Sequence, residues 1–278
     1  MKTARLCSVV FVALALVLSV GPARATVYNL TESNSTLAVD AGTQAGAYGW
    51  VVDGTSVLYQ QWFWYRVGST GPEASIDTLP LISAVQSDPD SLALTYGSTS
   101  DFTIQVDYLL IGGSAGSFTS DVSETIKIQN HSTAALPLHF FQYSDFDLNR
   151  LNLQDQVTID PDLQKVNQVP VGAGTLGPML SETVLSPAPS HAEANYYAST
   201  LGKLDDGNPT TLDDVLSAGP GDVTWAFEWD KTIAAGGTLL ISKDKNLAPV
   251  PAVPEPATIL GLGTILLLVG RKLSRRQA

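Results

Sequence analysis

Apolar and polar residues alternate most regularly between residues 102 and 128 of the chain. The first stretch has apolar Phe102, Ile104, Val106, Tyr108 and Leu110 between polar Thr103, Gln105 and Asp107, and the second has Val122, Ile126 and Ile128 between Ser123, Thr125, Lys127 and Gln129. A period of two residues is typical of a β-strand with one face in the core and one in water. Glycines at 112, 113 and 116 separate the stretches and predict a turn there.

Further strands are predicted on both sides of this pair. Residues 136–143 are expected to form the third strand of an antiparallel meander, and residues 225–230 a hairpin with residues 238–242. The segments around Trp62 and Tyr143 are apolar on both faces. The predicted fold class is therefore mostly β, an antiparallel β-sandwich with long loops, and a large supersandwich is the alternative.

One helix is predicted in the remaining sequence. The segment TTLDDVLSAG, residues 210–219, has a threonine cap, two aspartates in its first turn and a glycine at its end. The surrounding region, residues 155–220, is rich in proline and leaves two alternatives, an insertion or a second set of strands.

The N-terminal residues have the order of a secretory signal peptide. Lys2 and Arg5 precede an apolar run, and Ala23 and Ala25 provide small residues for cleavage after residue 25. The alternative is a permanent first transmembrane helix, for which the run is short. The only cysteine, Cys7, lies within this segment, so the mature chain is expected to lack disulfides and thiol chemistry.

The C-terminal sequence VPEPATILGLGTILLLVGRKLSRRQA combines three features. Pro254, Glu255 and Pro256 precede an uncharged run over residues 257–270, which is followed by the basic residues Arg271, Lys272, Arg275 and Arg276. As a helix this run is about 21 Å long at 1.5 Å per residue, whereas a bilayer core needs about 30 Å. The sequence thus predicts a marginal transmembrane helix with a basic stop-transfer tail on the cytoplasmic side.

This tail resembles the PEP-CTERM sorting signal of Gram-negative bacteria that make exopolysaccharide; similar tails also carry the label of ice-binding protein C-terminal domains. The resemblance implies recognition by an exosortase, cleavage near residues 254–256, and release or surface attachment of the ectodomain. The predicted organisation is a signal peptide at 1–25, a β-rich ectodomain at 26–245, a proline-rich spacer at 246–253 and the sorting signal at 254–278.

The region between the two signals is strongly acidic. Residues 26–253 contain 8 lysines and arginines against 26 aspartates and glutamates. Such a surface repels nucleic acid, so no nucleic-acid partner is expected.

Two groups of residues are candidate sites. Trp62 and Trp64 share one face of a predicted strand and form either part of the core or a platform on which sugar rings stack. Asp145, Asp147 and Asn149 alternate as in the opening of a Ca²⁺ loop, although Arg150 stands where the turn glycine belongs. Asp160 and Asp162 are possible further ligands, and a solvent-facing strand end is the alternative.

One short match to a catalytic motif lacks the structural context that the motif requires. Residues 112–116 match G-x-S-x-G, but a β pattern follows where a nucleophile elbow needs a helix. The sequence therefore predicts no enzyme and no cofactor. It predicts an exported, non-catalytic surface or matrix protein, held transiently in the inner membrane and associated with exopolysaccharide. Its expected partners are the Sec translocon, an exosortase, and exopolysaccharide or other surface proteins; the alternative is a secreted lectin-like binder or glycosidase.

Overall fold

The computed structural model describes residues 27–148, 154–172 and 177–250. The predicted signal peptide with Ala23 and Ala25, the sorting motif at 254–256, the helix at 257–270, the basic tail and Asn149 lie outside these residues. Within the described ranges, no helix has the length and apolar character needed to span a membrane.

The described chain is almost entirely β-structure. Its first strands are β1 (Val27–Glu32), β2 (Ser35–Asp40), β3 (Gly46–Val52), β4 (Thr55–Ser56), β5 (Leu58–Val67), β6 (Ala74–Ser75), β7 (Leu81–Asp88), β8 (Ser91–Gly97) and β9 (Phe102–Gly112). The others are β10 (Ser120–Asn130), β11 (Leu136–Phe146), β12 (Asp155–Ile159), β13 (Lys165–Pro170), β14 (Pro178–Ser186), β15 (His191–Tyr196), β16 (Ser217–Gly221), β17 (Val223–Ile233) and β18 (Thr238–Pro249). Two short helices complete the list, a 3₁₀ helix at Ile76–Thr78 and α1 at Ser199–Leu204.

These strands form two sheets of nine strands each. Sheet A has the order β1-β2-β3-β5-β11-β17-β15, with β4 and β6 paired to β3 and β5, and sheet B has the order β16-β12-β13-β14-β18-β10-β9-β8-β7. Among the described residues the pairing is antiparallel except for a short contact between β3 and β5. The predicted mostly-β, antiparallel sandwich is confirmed.

The core between the sheets is rich in aromatic side chains. Phe63 stacks on Phe140 with ring centroids 5.5 Å apart, and Phe146 stacks on Trp225 at 5.2 Å. Aromatic pairs in such arrangements add to the free energy gained by burying their large apolar area. The core therefore positions β5, β11 and β17 firmly at the centre of sheet A.

The predicted strand alternation is confirmed for β9 and β10, which pair antiparallel from Gly112 with Ser120 to Phe102 with Asn130. The G-x-S-x-G match begins at the end of β9 and lies in the hairpin loop before β10. The region 155–220 contains strands β12 to β16, so the second of its two alternatives is correct.

Two predicted pairings are wrong. The strand β11 leaves the meander and pairs with β5 and β17 in sheet A, and β18 pairs with β10 and β14 in sheet B rather than with β17. The burial patterns explain both differences. The strands β11 and β17 are buried on both faces over most of their length, whereas β10 and β18 alternate. Strands of the first kind need a sheet that is covered on both sides.

The predicted helix at 210–219 is also wrong. Three backbone N–H groups of this segment donate to side chains of distant residues: Thr210 to Glu73 Oε1 (2.9 Å), Leu212 to Glu228 Oε2 (2.9 Å) and Asp213 to Glu193 Oε2 (3.0 Å). All three carboxylates are fully or almost fully buried. Because they satisfy the N–H groups that would begin a helix, residues 210–216 form an irregular segment that covers the outer face of sheet A.

The folded chain also extends past the boundary predicted at residue 245. The strand β18 continues to Pro249, and Leu247 is buried opposite Leu180 of β14. A proline is tolerated here because it lies at the end of the strand.

Candidate functional site

Trp62 and Trp64 of β5 are both fully buried. Trp62 Nε1–H donates to Asp77 Oδ1 (2.9 Å), and Trp64 Nε1–H donates to Asp205 Oδ1 (3.1 Å). The Trp64 ring also contacts the Tyr143 ring edge to face, with centroids 6.2 Å apart. The two indoles are therefore core residues beneath the 3₁₀ helix and the segment after α1, which is the first of the two alternatives, and they offer no exposed face to a sugar.

An open cavity of about 520 Å³ lies at one end of sheet A. It is lined by two tyrosine rings and by hydroxyl, amide and carboxyl groups: Asp40, Thr43, Gln44, Ala45, Tyr48, Tyr59 and Gln60. The end of β2, the turn after it, β3 and the start of β5 supply these residues. We call this cavity the tyrosine pocket.

A third tyrosine extends the aromatic surface of the pocket. Tyr197, which follows β15, contacts Tyr59 edge to face with ring centroids 6.3 Å apart. The side chains are 56% exposed for Tyr59 and 49% for Tyr197. This tyrosine pair thus presents two adjoining rings to solvent, whereas the tryptophans singled out from the sequence do not.

Three carboxylates gather beside the tyrosine pair. Asp145, at the end of β11, Asp147, just after it, and Asp222, just before β17, each place a carboxylate oxygen within 4.8 Å of the others. The antiparallel register produces this arrangement because it sets Asp145 opposite Thr224. We call these three residues the acidic cluster.

Burial makes the acidic cluster electrostatically unusual. Asp145 is only 2% exposed, and its Oδ1 has no hydrogen-bond partner within the described ranges. Burial, followed by the charges of Asp147 and Asp222, raises the pKa of Asp145 to about 8. Burial likewise raises the pKa of Asp222.

The acidic cluster and the tyrosine pair belong to one region. The Tyr143 hydroxyl donates to Asp145 Oδ2 (3.4 Å). The pKa of Tyr197 is raised mainly by Tyr59, and also by the charges of Asp145 and Asp222. We call the tyrosine pocket, the tyrosine pair and the acidic cluster together the open end of sheet A.

The predicted calcium ligands are only partly brought together. Asp145 and Asp147 lie in the acidic cluster, whereas Asp160 and Asp162 lie at the turn between β12 and β13 in sheet B. Asp222 was not predicted, because it is far from Asp145 in sequence and nothing in its local pattern indicates the pairing of β11 with β17.

A second group of ionisable residues lies on the outer face of sheet A. Glu228 and Asp230 of β17 lie beside His139 of β11, and His191 of β15 reaches Asp230 at 3.8 Å. Burial, together with the charge of Asp230, raises the pKa of Glu228 to about 8. Glu228 is fully buried and accepts the Leu212 N–H of the covering segment. We call this group the covered site, because the segment 205–216 lies over its central carboxylate.

A third group of charges lies between the sheets. Lys243 and Lys245 of β18 face Glu124 of β10 and Glu182 of β14, and all four are at most 2% exposed. Lys245 Nζ donates to Glu124 Oε1 (2.7 Å), Lys243 forms an ion pair with Glu124, and Gln142 donates to Glu182 (2.9 Å). Burial lowers the pKa of both lysines and raises that of Glu182. Two basic and two acidic groups leave this buried ion network neutral overall, whichever of them holds the protons.

Comparison with known proteins identifies a fold but no family. No protein-family profile matches the sequence, and no curated protein is significantly similar to it. Solved structures with a similar fold include a bacterial glucoamylase complexed with acarbose (TM-score 0.56, 9% identity). The match covers 83% of this chain but only 34% of the glucoamylase chain.

Two further structures match over the whole of their own chains. One is a putative aldose 1-epimerase from Escherichia coli K12 (TM-score 0.52, 11% identity, 82% of this chain and 100% of that one). The other is a galactose mutarotase-like protein from Lactobacillus casei ATCC 334 (TM-score 0.50, 8% identity), and this match covers 80% of this chain and 100% of that one. At these identities the likeness shows the fold alone.

Proposed function

We propose that the chain is an exported, non-catalytic surface protein whose ectodomain binds a saccharide at the open end of sheet A. The sorting part of this proposal rests on the sequence: the residues Pro254, Glu255 and Pro256, the apolar run and the basic tail resemble a signal that an exosortase processes. The saccharide part rests on the tyrosine pocket. The nine-stranded sheets support the supersandwich form of the predicted architecture.

The observation that carries the saccharide proposal is the composition of the tyrosine pocket. A sugar ring has flat apolar faces and a rim of hydroxyl groups. Tyr59 and Tyr48 offer apolar faces, and the side chains of Asp40, Thr43, Gln44 and Gln60 offer donors and acceptors around them. A concave site with aromatic walls and a few convergent polar groups is the usual form of a small-molecule site.

The fold comparisons support the same class of ligand. The similar structures are described as a glucoamylase with acarbose, an aldose 1-epimerase and a galactose mutarotase-like protein, which are all proteins of carbohydrate chemistry. At the open end, the described part of sheet A presents exposed aromatic rings, those of Tyr59 and Tyr197.

Binding without turnover fits the positions of the carboxylates. Glycoside hydrolysis needs two carboxyl groups that flank the scissile bond. Glu228 is buried beneath Leu212, and Asp145 is only 2% exposed, so neither reaches a sugar that occupies the pocket. The alternative is a secreted glycosidase, for which the lining of the tyrosine pocket itself offers one carboxylate, Asp40.

Titration calorimetry with a panel of bacterial polysaccharide fragments tests the binding proposal. We expect Tyr59→Ala and Tyr197→Ala each to weaken binding about tenfold, equivalent to about 1.4 kcal/mol. Leu185→Ala is the matched control, because Leu185 is 62% exposed on sheet B. Equal affinities for the wild type and both tyrosine variants would place the ligand elsewhere, and release of reducing sugar would establish the glycosidase alternative.

Mass analysis of the C-terminus tests the sorting proposal separately. In fractionated cells we expect a terminus near residues 254–256 in the outer or secreted fraction, and we expect Glu255→Ala to retain the full-length protein in the inner membrane. A full-length terminus at Ala278 in the wild type would contradict exosortase processing.

A further inference from the structure

The acidic cluster brings three carboxylates together. Among the described residues, no lysine, arginine or histidine forms an ion pair with Asp145 or Asp222. Ion pairs elsewhere in the described ranges join lysine, arginine or histidine to other carboxylates, and none of them includes these two residues. One oxygen each of Asp145, Asp147 and Asp222 nevertheless lies within 4.8 Å of the others. Like charges held this close are unfavourable unless a proton or a cation joins them.

The burial of Asp145 is a second, independent indication of a cation site. The residue is only 2% exposed, yet its Oδ1 has no hydrogen-bond partner in the described part of the chain. Buried polar oxygens in folded proteins are normally hydrogen-bonded or bound to metal, because leaving one unsatisfied is costly.

We propose that Asp145, Asp147 and Asp222 bind a calcium ion at the open end of sheet A. All three donors are carboxylate oxygens, which suit a hard cation, and no nitrogen or sulfur ligand that would favour zinc belongs to the group. Two oxygens that share a Ca²⁺ at 2.3–2.6 Å lie at most about 5 Å apart, in agreement with the observed spacing. Water and backbone carbonyls complete the six to eight ligands that Ca²⁺ takes.

The ion has a structural consequence for the neighbouring tyrosine. The backbone carbonyl of Asp222 accepts the Tyr197 N–H at 2.9 Å. A cation that fixes the Asp222 side chain therefore also fixes the position of Tyr197 beside Tyr59. The metal site itself does not depend on saccharide binding and goes beyond the proposed function.

The test uses the full-length protein after treatment with a chelator. Calcium alone is titrated by calorimetry, and terbium luminescence sensitised by the nearby tyrosines reports the same site. We expect saturable binding of one ion. Removing one ligand should weaken it about tenfold or more, since even an outer partner of a metal ligand is worth that much.

Asp145→Asn and Asp222→Asn are the informative variants, and Asp121→Asn is the matched control. Asp121 is also a carboxylate whose pKa is raised, to about 7, by burial and by Asp244, but it lies on sheet B away from the cluster. We expect Asp121→Asn to bind calcium like the wild type. Because Asp222 is only partly buried, its variant decides the question if Asp145→Asn does not fold.

Three results would overturn the proposal. They are the absence of saturable binding to the wild type, unchanged binding by Asp222→Asn, and magnesium binding as tight as that of calcium. Thermal unfolding gives a further check, because calcium should raise the melting temperature of the wild type and of Asp121→Asn but leave that of Asp222→Asn unchanged.

Discussion

The buried ion network between the sheets and the acidic cluster at the open end both contain buried ionisable side chains, but they differ in how these are paired. The network joins lysines to glutamates, whereas Asp145 and Asp222 of the cluster form no ion pair within the described ranges. In the network, Lys243 and Lys245 face Glu124 and Glu182, and each carboxylate has a cationic or amide partner within hydrogen-bond distance. In the acidic cluster, the described neighbours of Asp145 and Asp222 include a third carboxylate, Asp147, and tyrosines.

This difference distinguishes ionisable groups that stabilise the fold from ionisable groups that can bind a cation. A buried ion network that is neutral within itself needs nothing from solution, and it fixes the relative positions of β10, β14 and β18. A buried group of one sign remains unfavourable until a proton or a cation joins it. We therefore propose that the open end binds ligands and that the buried ion network stabilises the fold.

Breaking the network should have the largest effect. Lys243→Met leaves Glu124 and Glu182 with one cation between them, and we expect a loss of about 3–5 kcal/mol in the free energy of unfolding, measured by chemical denaturation. Lys127→Met is the control, because Lys127 is exposed on the neighbouring β10. A loss as small as that of the control would show that the network does not contribute to stability as a balanced unit.

Removing the charge of Asp145 should act in the opposite direction. The pKa of Asp145 is raised from 3.8 to about 8 in the folded chain, so the folded state holds a proton that the unfolded state has released. Its contribution to stability is complete below pH 3.8 and is lost as the pH rises through about 8.

Without calcium, the wild type should therefore lose about 3–4 kcal/mol relative to Asp145→Asn between pH 5 and pH 8. Denaturation of both proteins across this pH range measures the difference. A difference that does not change with pH would contradict the burial of an uncompensated carboxylate at this position.

Changing the covered site should have the smallest effect on binding. Glu228→Gln keeps the oxygen that accepts the Leu212 N–H, so we expect the segment 205–216 to stay in place. Saccharide affinity should then remain within about twofold of the wild type, well under the 1.4 kcal/mol that a tenfold change requires. A loss of binding as large as that of Tyr59→Ala would instead assign the ligand to the covered site.

Local patterns in the sequence predicted which segments are strands. The alternation at 102–110 gave β9, and the two-sided apolar character around Trp62 and Tyr143 correctly indicated strands buried on both faces. These features follow from side-chain direction along a single strand and need no knowledge of its neighbours.

The sequence did not predict features that depend on distant residues. Whether β11 and β18 form hairpins or cross between the sheets depends on which sheet is covered on both faces. The irregular conformation of residues 210–216 depends on Glu73, Glu193 and Glu228, which lie far away in sequence and accept its N–H groups. Asp222 joined the candidate site only through the register of β11 with β17.

Hydrogen exchange of the full-length protein, with and without oligosaccharides released from exopolysaccharide, tests the central claim most directly. If the open end is the binding site, exchange should slow at residues 42–46 and 196–198, which border the tyrosine pocket and Tyr197, and should not change at residues 206–214. Slowed exchange confined to 206–214 would place the ligand over Glu228 and contradict the account.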